Sequence, residues 1–281
     1  MRKSNRWNYP RTLIRVLFLG IIVSPLFGFT FFLGTFSSGL FLGKIHLTDP
    51  LAGLQIALAQ PGSLMSGFIV SILLVVCVYA LLGRVYCSWV CPLGLLLEIA
   101  DQWLVKIPIR IKATGDISKS MKYTVLSVTL SLALLSSMPV FEIFSPMSIF
   151  MRMWLYGIGI EILLIIAVIV LNWLFGANSW CNRICPLGAL YSLLGKVRVL
   201  SLNIDTNHCT QCGACYQVIC KVGPEVLRPA IMSGNAYLIS SDCTNCGDCI
   251  GNCPSTALTF TIRLPRKTSI TNIYDAPSKQ A

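Results

Sequence analysis

Charge is scarce in this sequence. Asp, Glu, Lys and Arg make up 12% of its 281 residues, where an ordinary soluble domain carries roughly 25%. Half the usual charge leaves too little polar surface for a soluble fold of this size. With 55% hydrophobic residues, the composition points to a membrane protein. Polar–apolar alternation is missing from the apolar runs, which excludes the strands of a transmembrane barrel. No apolar run is rich in polar residues, which argues against an ion transporter. The charge that is present is lopsided, with 22 Lys and Arg against 11 Asp and Glu. The basic residues gather beside the apolar runs, so they read as membrane topology and not as a nucleic-acid footprint.

Four apolar runs, residues 13–36, 64–83, 121–139 and 157–176, each approach the ~20 residues a helix needs to cross a ~30 Å hydrocarbon core. The first is too long for the apolar region of a signal peptide and no A-x-A cleavage site follows it, so it reads as a retained helix. Positive residues crowd the N-terminal tail (Arg2, Lys3, Arg6, Arg11, Arg15), the loop after the second run (Lys106, Arg110, Lys112, Lys119, Lys122) and the stretch after the fourth (Arg183, Lys196, Arg198). The other loops hold only Lys44 and Arg152. The positive-inside rule then predicts a multi-pass protein of the bacterial inner membrane, bathed in lipid, with both termini cytoplasmic. The expected organisation is a cytoplasmic tail over 1–12, a membrane domain over 13–198, a cytoplasmic domain over 199–264 and a flexible tail over 265–281.

The membrane part reads twice. Tyr86-Cys87-Ser88-Trp89-Val90-Cys91-Pro92-Leu93-Gly94 is echoed by Trp180-Cys181-Asn182-Arg183-Ile184-Cys185-Pro186-Leu187-Gly188. Each copy follows an even-numbered run, which predicts a parallel internal repeat with its pseudo-twofold axis along the membrane normal. Pro92 and Pro186 suit the first turn of a new helix. Cys87, Cys91, Cys181 and Cys185 can converge across such an axis. They then bind a metal, form redox-active pairs, or pack as small soft hydrophobes. Cys77 stands alone in the second run and reads as packing.

Beyond residue 200 the cysteines multiply. Cys243-x2-Cys246-x2-Cys249-x3-Cys253-Pro254 is the bacterial ferredoxin run. Three thiolates on one tight loop cap three corners of a 4Fe-4S cubane, and the fourth ligand arrives from elsewhere. Cys209-x2-Cys212-x2-Cys215-x4-Cys220 departs from that run in its last spacing and in having Lys221 for the proline. In two-cluster ferredoxins the fourth cysteine ligates the other cluster. One iron site is therefore expected on Cys209, Cys212, Cys215 and Cys253, and a second on Cys243, Cys246, Cys249 and Cys220. Residues 231–239 read as a short hairpin around Ser233-Gly234-Asn235. The fold class expected is a membrane all-α four-helix unit followed by a small α+β ferredoxin-like domain with two 4Fe-4S clusters. His208 beside the first motif reads as a surface residue.

Taken together, the four runs, the duplicated C-x3-C-P motifs and the paired ferredoxin motifs resemble the NapH-type membrane subunit of the quinol dehydrogenase serving periplasmic nitrate reductase. Leu47-Thr48-Asp49-Pro50-Leu51, Cys87-Ser88-Trp89-Val90-Cys91-Pro92, Cys185-Pro186-Leu187-Gly188-Ala189-Leu190-Tyr191 and Val226-Leu227-Arg228 carry the resemblance, which spans roughly residues 11–262. It implies electron transfer from quinol, through clusters, a periplasmic iron–sulfur subunit and c-type cytochromes, toward nitrate reductase. The alternative is a maturation protein that feeds electrons to a periplasmic metalloenzyme without steady-state quinol turnover. His46, Asp49, Glu98 and Glu161 stand at the expected membrane boundary as weak candidates for a quinone site, with His46 and Asp49 in a solvated outer loop.

Overall fold

The computed structural model describes residues 7–24, 32–34, 38–41, 45–59, 66–104, 118–157, 159–176, 178–238 and 240–262. Lys44, the basic loop carrying Lys106, Arg110 and Lys112, and most of both tails lie outside the described residues. The first half of the helical part holds α1 (Asn8–Val23), an antiparallel sheet of β1 (Phe32–Gly34), β2 (Ser38–Phe41) and β3 (Ile45–Thr48), then α2 (Pro50–Ala59), α3 (Ser66–Leu82), α4 (Tyr86–Trp89) and α5 (Pro92–Leu104). The second half holds α6 (Met121–Ser136), α7 (Val140–Phe144), α8 (Pro146–Tyr156), α9 (Ile162–Phe175), a π-helical turn (Trp180–Ile184) and α10 (Pro186–Leu194).

The halves interlock. Helix α5 packs on α9, and α10 packs on α3, while α2 lies on α3 and α8 on α9. Left-handed glycines close α3 and α9: Gly83 (φ 76°) and Gly176 (φ 102°), conformations that a side chain would strain.

The four apolar runs become helices, but shorter ones than the sequence suggests. Among the described residues no helix is long and apolar enough to cross a membrane. Helix α3, with 17 residues, reaches about 25 Å, and α9, with 14, about 21 Å. Helix α6 stops at Ser137, which is left-handed (φ 53°) just ahead of Pro139. Helix α9 starts only after Gly157 (φ 92°) has broken the chain from α8. The first run departs most. Helix α1 begins at Asn8 and carries Arg11 and Arg15, both buried in ion pairs, and residues 32–34, expected as helix, form the three-stranded sheet with residues 38–41 and 45–48. Gly34 and Gly39 disfavour helix there, and the phenylalanines favour strand.

From Leu200 to Ile262 the described residues form an α+β unit. Strands β4 (Leu200–Ile204) and β5 (Leu258–Ile262) pair antiparallel, with Leu202 opposite Phe260. Between them lie a π-helical turn (Cys215–Ile219), α11 (Pro224–Met232) and α12 (Asp248–Gly251). The expected hairpin over 231–239 is not formed. Ile231 and Met232 finish α11, and the Asn235 N–H donates to the Ala230 carbonyl at 3.0 Å. Val226, Leu227, Ala230 and Ile231 are buried at helical spacing, and that apolar face outweighs the turn signal of Ser-Gly-Asn. The core joins these residues to Leu202, Ile204, Leu238 and Leu258, with the cysteines packed against it.

Candidate iron–sulfur sites

Two cavities open inside the α+β unit. One is walled by Cys209, Cys212, Cys215 and Cys253 together with Ile231 and Leu258. The other is walled by Cys220, Cys243, Cys246 and Cys249 together with Leu202, Val226 and Phe260. Four thiols around a largely apolar hollow form a donor set that fits a 4Fe-4S cluster. The two loops share one backbone path. Gln211 (φ 51°) matches Asn245 (φ 49°), and Gly213 matches Gly247, both at φ 76°. A Cβ on Gly247 would come within 2.7 Å of the Trp7 ring, so that loop closes against the N-terminal segment.

The irregular spacing before Cys220 has a structural answer. Cys215–Ile219 winds as a π-helical turn, which accommodates one more residue per turn than an α-helix. The extra residue is absorbed and Cys220 lines the second cavity. Burial pushes the Cys215 thiol up to about 11, with Cys209, Cys212 and Cys253 adding to the shift. Burial, then Cys246, Cys243 and Cys220, hold Cys249 well above the ordinary thiol value. Such thiols stay protonated until a bound metal displaces their protons.

Both copies of the C-x3-C-P motif hold the second cavity from below. Ser88 Oγ donates to the Thr244 carbonyl at 2.8 Å, and Trp89 Nε1 donates to the Asn245 carbonyl at 3.0 Å. Asn182, at the position equivalent to Ser88, donates to the Lys221 carbonyl at 3.2 Å. The residue after the first cysteine of each motif thus grips the residue after a cysteine of one cavity, Cys243 or Cys220.

A charge network completes the dock. Glu98 on α5 binds Arg11 (3.0 Å), Arg15 (2.6 Å) and Lys221, and Asp248 binds Arg11 (3.3 Å) and Lys221 (3.0 Å). Burial raises the pKa of Glu98, but Lys221, Arg15 and Arg11 outweigh it and hold the carboxyl below its ordinary value. Glu98 is therefore an ion-pair hub, not an open quinone contact. On the other side Lys122 binds Asp242, and Ser192 donates to Asp242 at 2.7 Å. Ser192 follows Pro186 by the same six positions that separate Glu98 from Pro92.

The remaining cysteines meet between the halves. Cys91, Cys87 and Cys181 belong to one apolar cluster with Tyr86, Leu93, Leu97, Met147, Val168 and Tyr191. Cys181 feels the charges of Cys185, Cys91 and Cys87, and Cys185 feels Cys87. Burial pushes Cys91 up to about 12 and Cys185 up to about 11. Among the described residues no three His, Cys, Asp or Glu side chains are grouped to hold a single metal ion. Arg84 lies wholly buried beside these thiols and donates to the Cys181 carbonyl. A Cβ on Gly94 would meet the Cys87 carbonyl at 2.8 Å, and one on Gly188 the Cys181 carbonyl at 2.7 Å, so both glycines are spatial necessities of the motif.

Above them sits a tyrosine triad, Tyr79, Tyr86 and Tyr191, with ring centroids 4.6 to 5.8 Å apart. The Tyr191 hydroxyl donates to Asp49 Oδ1 at 2.7 Å. Asp49 was expected in a solvated loop. It is half-buried, and burial pushes its carboxyl up to about 7 against the pull of the Tyr191 hydrogen bond. Glu161 is exposed and pairs with Arg152 at 3.4 Å. The His46 side chain lies outside the described residues. His208 is exposed and bonded to Asp205 at 2.7 Å.

The sequence family described as a 4Fe-4S binding domain matches twice, at residues 64–110 and 158–204. The ferredoxin-type protein NapH of Escherichia coli (strain K12) is 33% identical over 93% of this chain and 91% of its own. NapH of Haemophilus influenzae is 30% identical over 92% and 91%. The methylamine utilization ferredoxin-type protein MauN of Methylorubrum extorquens is 31% identical over 93% and 91%. The chain belongs to the NapH and MauN family of ferredoxin-type proteins. No solved structure matches it.

The two segments matched in this NapH-type chain are the copies of the internal motif, each with its cysteine pair, and not the ferredoxin loops. Several residues of the site escape motif reading. Arg84, Ser88, Asn182 and Asp242 act through partners 97, 156, 39 and 120 positions away. Only the equivalence of Ser88 and Asn182 within the repeat was there to be noticed.

Proposed function

We propose that this chain is the membrane-bound electron-transfer subunit of a quinol dehydrogenase. That it is an iron–sulfur electron-transfer protein follows from its family. The two four-cysteine cavities, held at the end of the helical part by both motif copies, carry the rest of the reading. Each cubane takes one electron at a time, so two clusters can divide the pair released by one quinol. Cys209, Cys212, Cys215 and Cys253 would hold one cluster, and Cys220, Cys243, Cys246 and Cys249 the other. The chain's own contribution is to fix the two sites relative to each other and to keep water from the thiolates with Leu202, Val226, Ile231, Leu258 and Phe260.

Membrane residence rests on composition and on surface chemistry. Val70, Leu73 and Leu74 of α3, Leu134 and Leu135 of α6, and Ile160, Leu163 and Ile166 at and in α9 are exposed. Apolar surface of that extent needs lipid or protein cover. The interlocking of α3, α5, α9 and α10 supports a parallel repeat within four helices, with both termini on the ferredoxin side. The partners would be quinol, lipid, a periplasmic iron–sulfur subunit and c-type cytochromes, with nitrate reductase as terminal acceptor. Similarity to MauN is as strong as to NapH, which favours keeping a second reading. In it the chain feeds electrons to a periplasmic metalloenzyme during its maturation, without steady-state quinol turnover.

The deciding experiment is EPR on the anaerobically purified chain in detergent. Signals of reduced 4Fe-4S clusters on adding quinol alone support the dehydrogenase. Reduction only by a low-potential donor favours the maturation role.

A further inference from the structure

We infer that Cys87, Cys91, Cys181 and Cys185 hold a third iron–sulfur cluster, shared between the two halves of the helical part. Each segment that matches the 4Fe-4S binding family supplies only two motif thiols, and the one further cysteine, Cys77 of the first segment, is exposed on α3. Neither segment can offer the four cysteine ligands of a cluster by itself. Together they can: Cys87, Cys91 and Cys181 pack in one apolar cluster, Cys185 ends the turn that carries Cys181, and none of the four is in a disulfide.

Arg84 supplies an independent indication. Its side chain is 0% exposed, and its Nε and Nη1 have no hydrogen-bond partner among the described residues. Cys87 and Cys181 face the guanidinium, and the carboxylate that acts on it, Asp242, is already engaged by Lys122 and Ser192. A buried cation without a full counter-charge of its own is costly. Neutral thiols do not supply that charge, whereas four thiolates around an iron–sulfur core would carry net negative charge and supply it. Tyr86, Met147, Leu97, Val168 and Tyr191 exclude water.

Placement gives the cluster a role. Ser88 and Asn182, each next to a motif cysteine, grip the backbone next to Cys243 and Cys220. The third site is thereby fixed against the second cavity. Clusters held at the two sites would exchange single electrons, one oxidised as the other is reduced, with no proton or co-reactant needed. Only this relay rests on the electron-transfer reading; the presence of the cluster does not.

The test is iron and acid-labile sulfide content of the full chain, purified anaerobically in detergent, with EPR after dithionite reduction. The wild type is expected to hold about twelve irons, or about ten if the third core is a 2Fe-2S. Cys87→Ser/Cys181→Ser should lose that excess and its EPR signal, and keep the remaining eight. A wild-type content of about eight irons, with native thiol labelling at Cys87, Cys91, Cys181 and Cys185 or a disulfide among them, would overturn the inference. The wild-type count decides even if the double variant does not fold. Dithionite reduces the clusters whether or not quinol can, so failure of the quinol reading leaves this result untouched.

Discussion

The Trp89 indole donates its hydrogen to the Asn245 carbonyl at 3.0 Å, joining the first C-x3-C-P motif to the loop of the second cavity across 156 residues. Asn245 answers through its side-chain amide, which donates to the Leu82 carbonyl at 2.9 Å. The helical part and the cluster-bearing part therefore share one rigid seam. Trp89→Phe keeps the ring and removes the donor, leaving a partly buried carbonyl unmatched at a cost of about 1 kcal/mol. Hydrogen exchange at residues 243–249 should quicken about fivefold, with iron content unchanged. Unaltered exchange would mean that the seam is held elsewhere.

Glu98 gathers Arg11, Arg15 and Lys221 around one carboxylate. Glu98→Gln leaves three cations without their common partner and should cost about 3–5 kcal/mol, the range for breaking a buried pair. The pH dependence has a definite sign. Glu98 and Asp248 both titrate below their ordinary values in the fold. Their stabilisation is whole above about pH 4.5, the unfolded carboxyl range, and is lost as pH falls through the lower folded values. The stability gap between wild type and Glu98→Gln, read by chemical denaturation, should be flat from pH 7 to 5 and narrow below that.

Cys220 enters the second cavity by way of the π-helical turn, so its role is separable from that of its sequence neighbours. Cys220→Ser should damage the cluster of Cys243, Cys246 and Cys249 while leaving the cluster of Cys209, Cys212 and Cys215 intact. Deleting the exposed Gln217 should convert the π turn to an α turn and keep full iron content. Loss of both clusters in Cys220→Ser, or of either in the deletion, would show that the crossed ligand sets are wrong.

Ligand spacing is local, so the two ferredoxin motifs could be read from the sequence; the crossed sets proposed for them, which exchange Cys220 and Cys253, came from the two-cluster pattern and coincide with the linings of the two cavities. The repeat was equally legible, because Cys-x3-Cys-Pro-Leu-Gly occurs twice. Helix ends were not. Left-handed Ser137 stops α6 two residues short of the end of its apolar run, and left-handed Gly157 separates α8 from α9 where the fourth run was expected to begin as helix. The docking was hidden too, since Arg11 finds Asp248 across 237 residues and a charge beside an apolar run carries no mark of its partner. Arg11 and Arg15 read as topology signals, and the fold spends them on ion pairs. The hairpin over 231–239 failed for a related reason: a turn tripeptide was read without weighing the helical apolar face that precedes it.

Asp49 and Tyr191 offer the last test. The carboxyl is pushed up to about 7 by burial, while an unfolded aspartate titrates near 3.8. Between those values the folded chain binds more protons than the unfolded one, so stability must fall as pH rises from about 4 to about 7, by at most about 1.4 kcal/mol per pH unit. Asp49→Asn removes the ionisation and should flatten that slope, making the variant relatively more stable above pH 7. Tyr191→Phe deletes the donor that favours the charged form and should push the Asp49 pKa higher. If Asp49 also takes a proton from quinol, cluster reduction by quinol should rise with pH through an inflection near 7 in the wild type, because the base must be ionised to accept. Asp49→Asn should lose the inflection and slow the reduction at least tenfold, with dithionite reduction unchanged. A flattened stability profile with an unaltered quinol profile would leave Asp49 a buried structural carboxyl with no part in proton uptake.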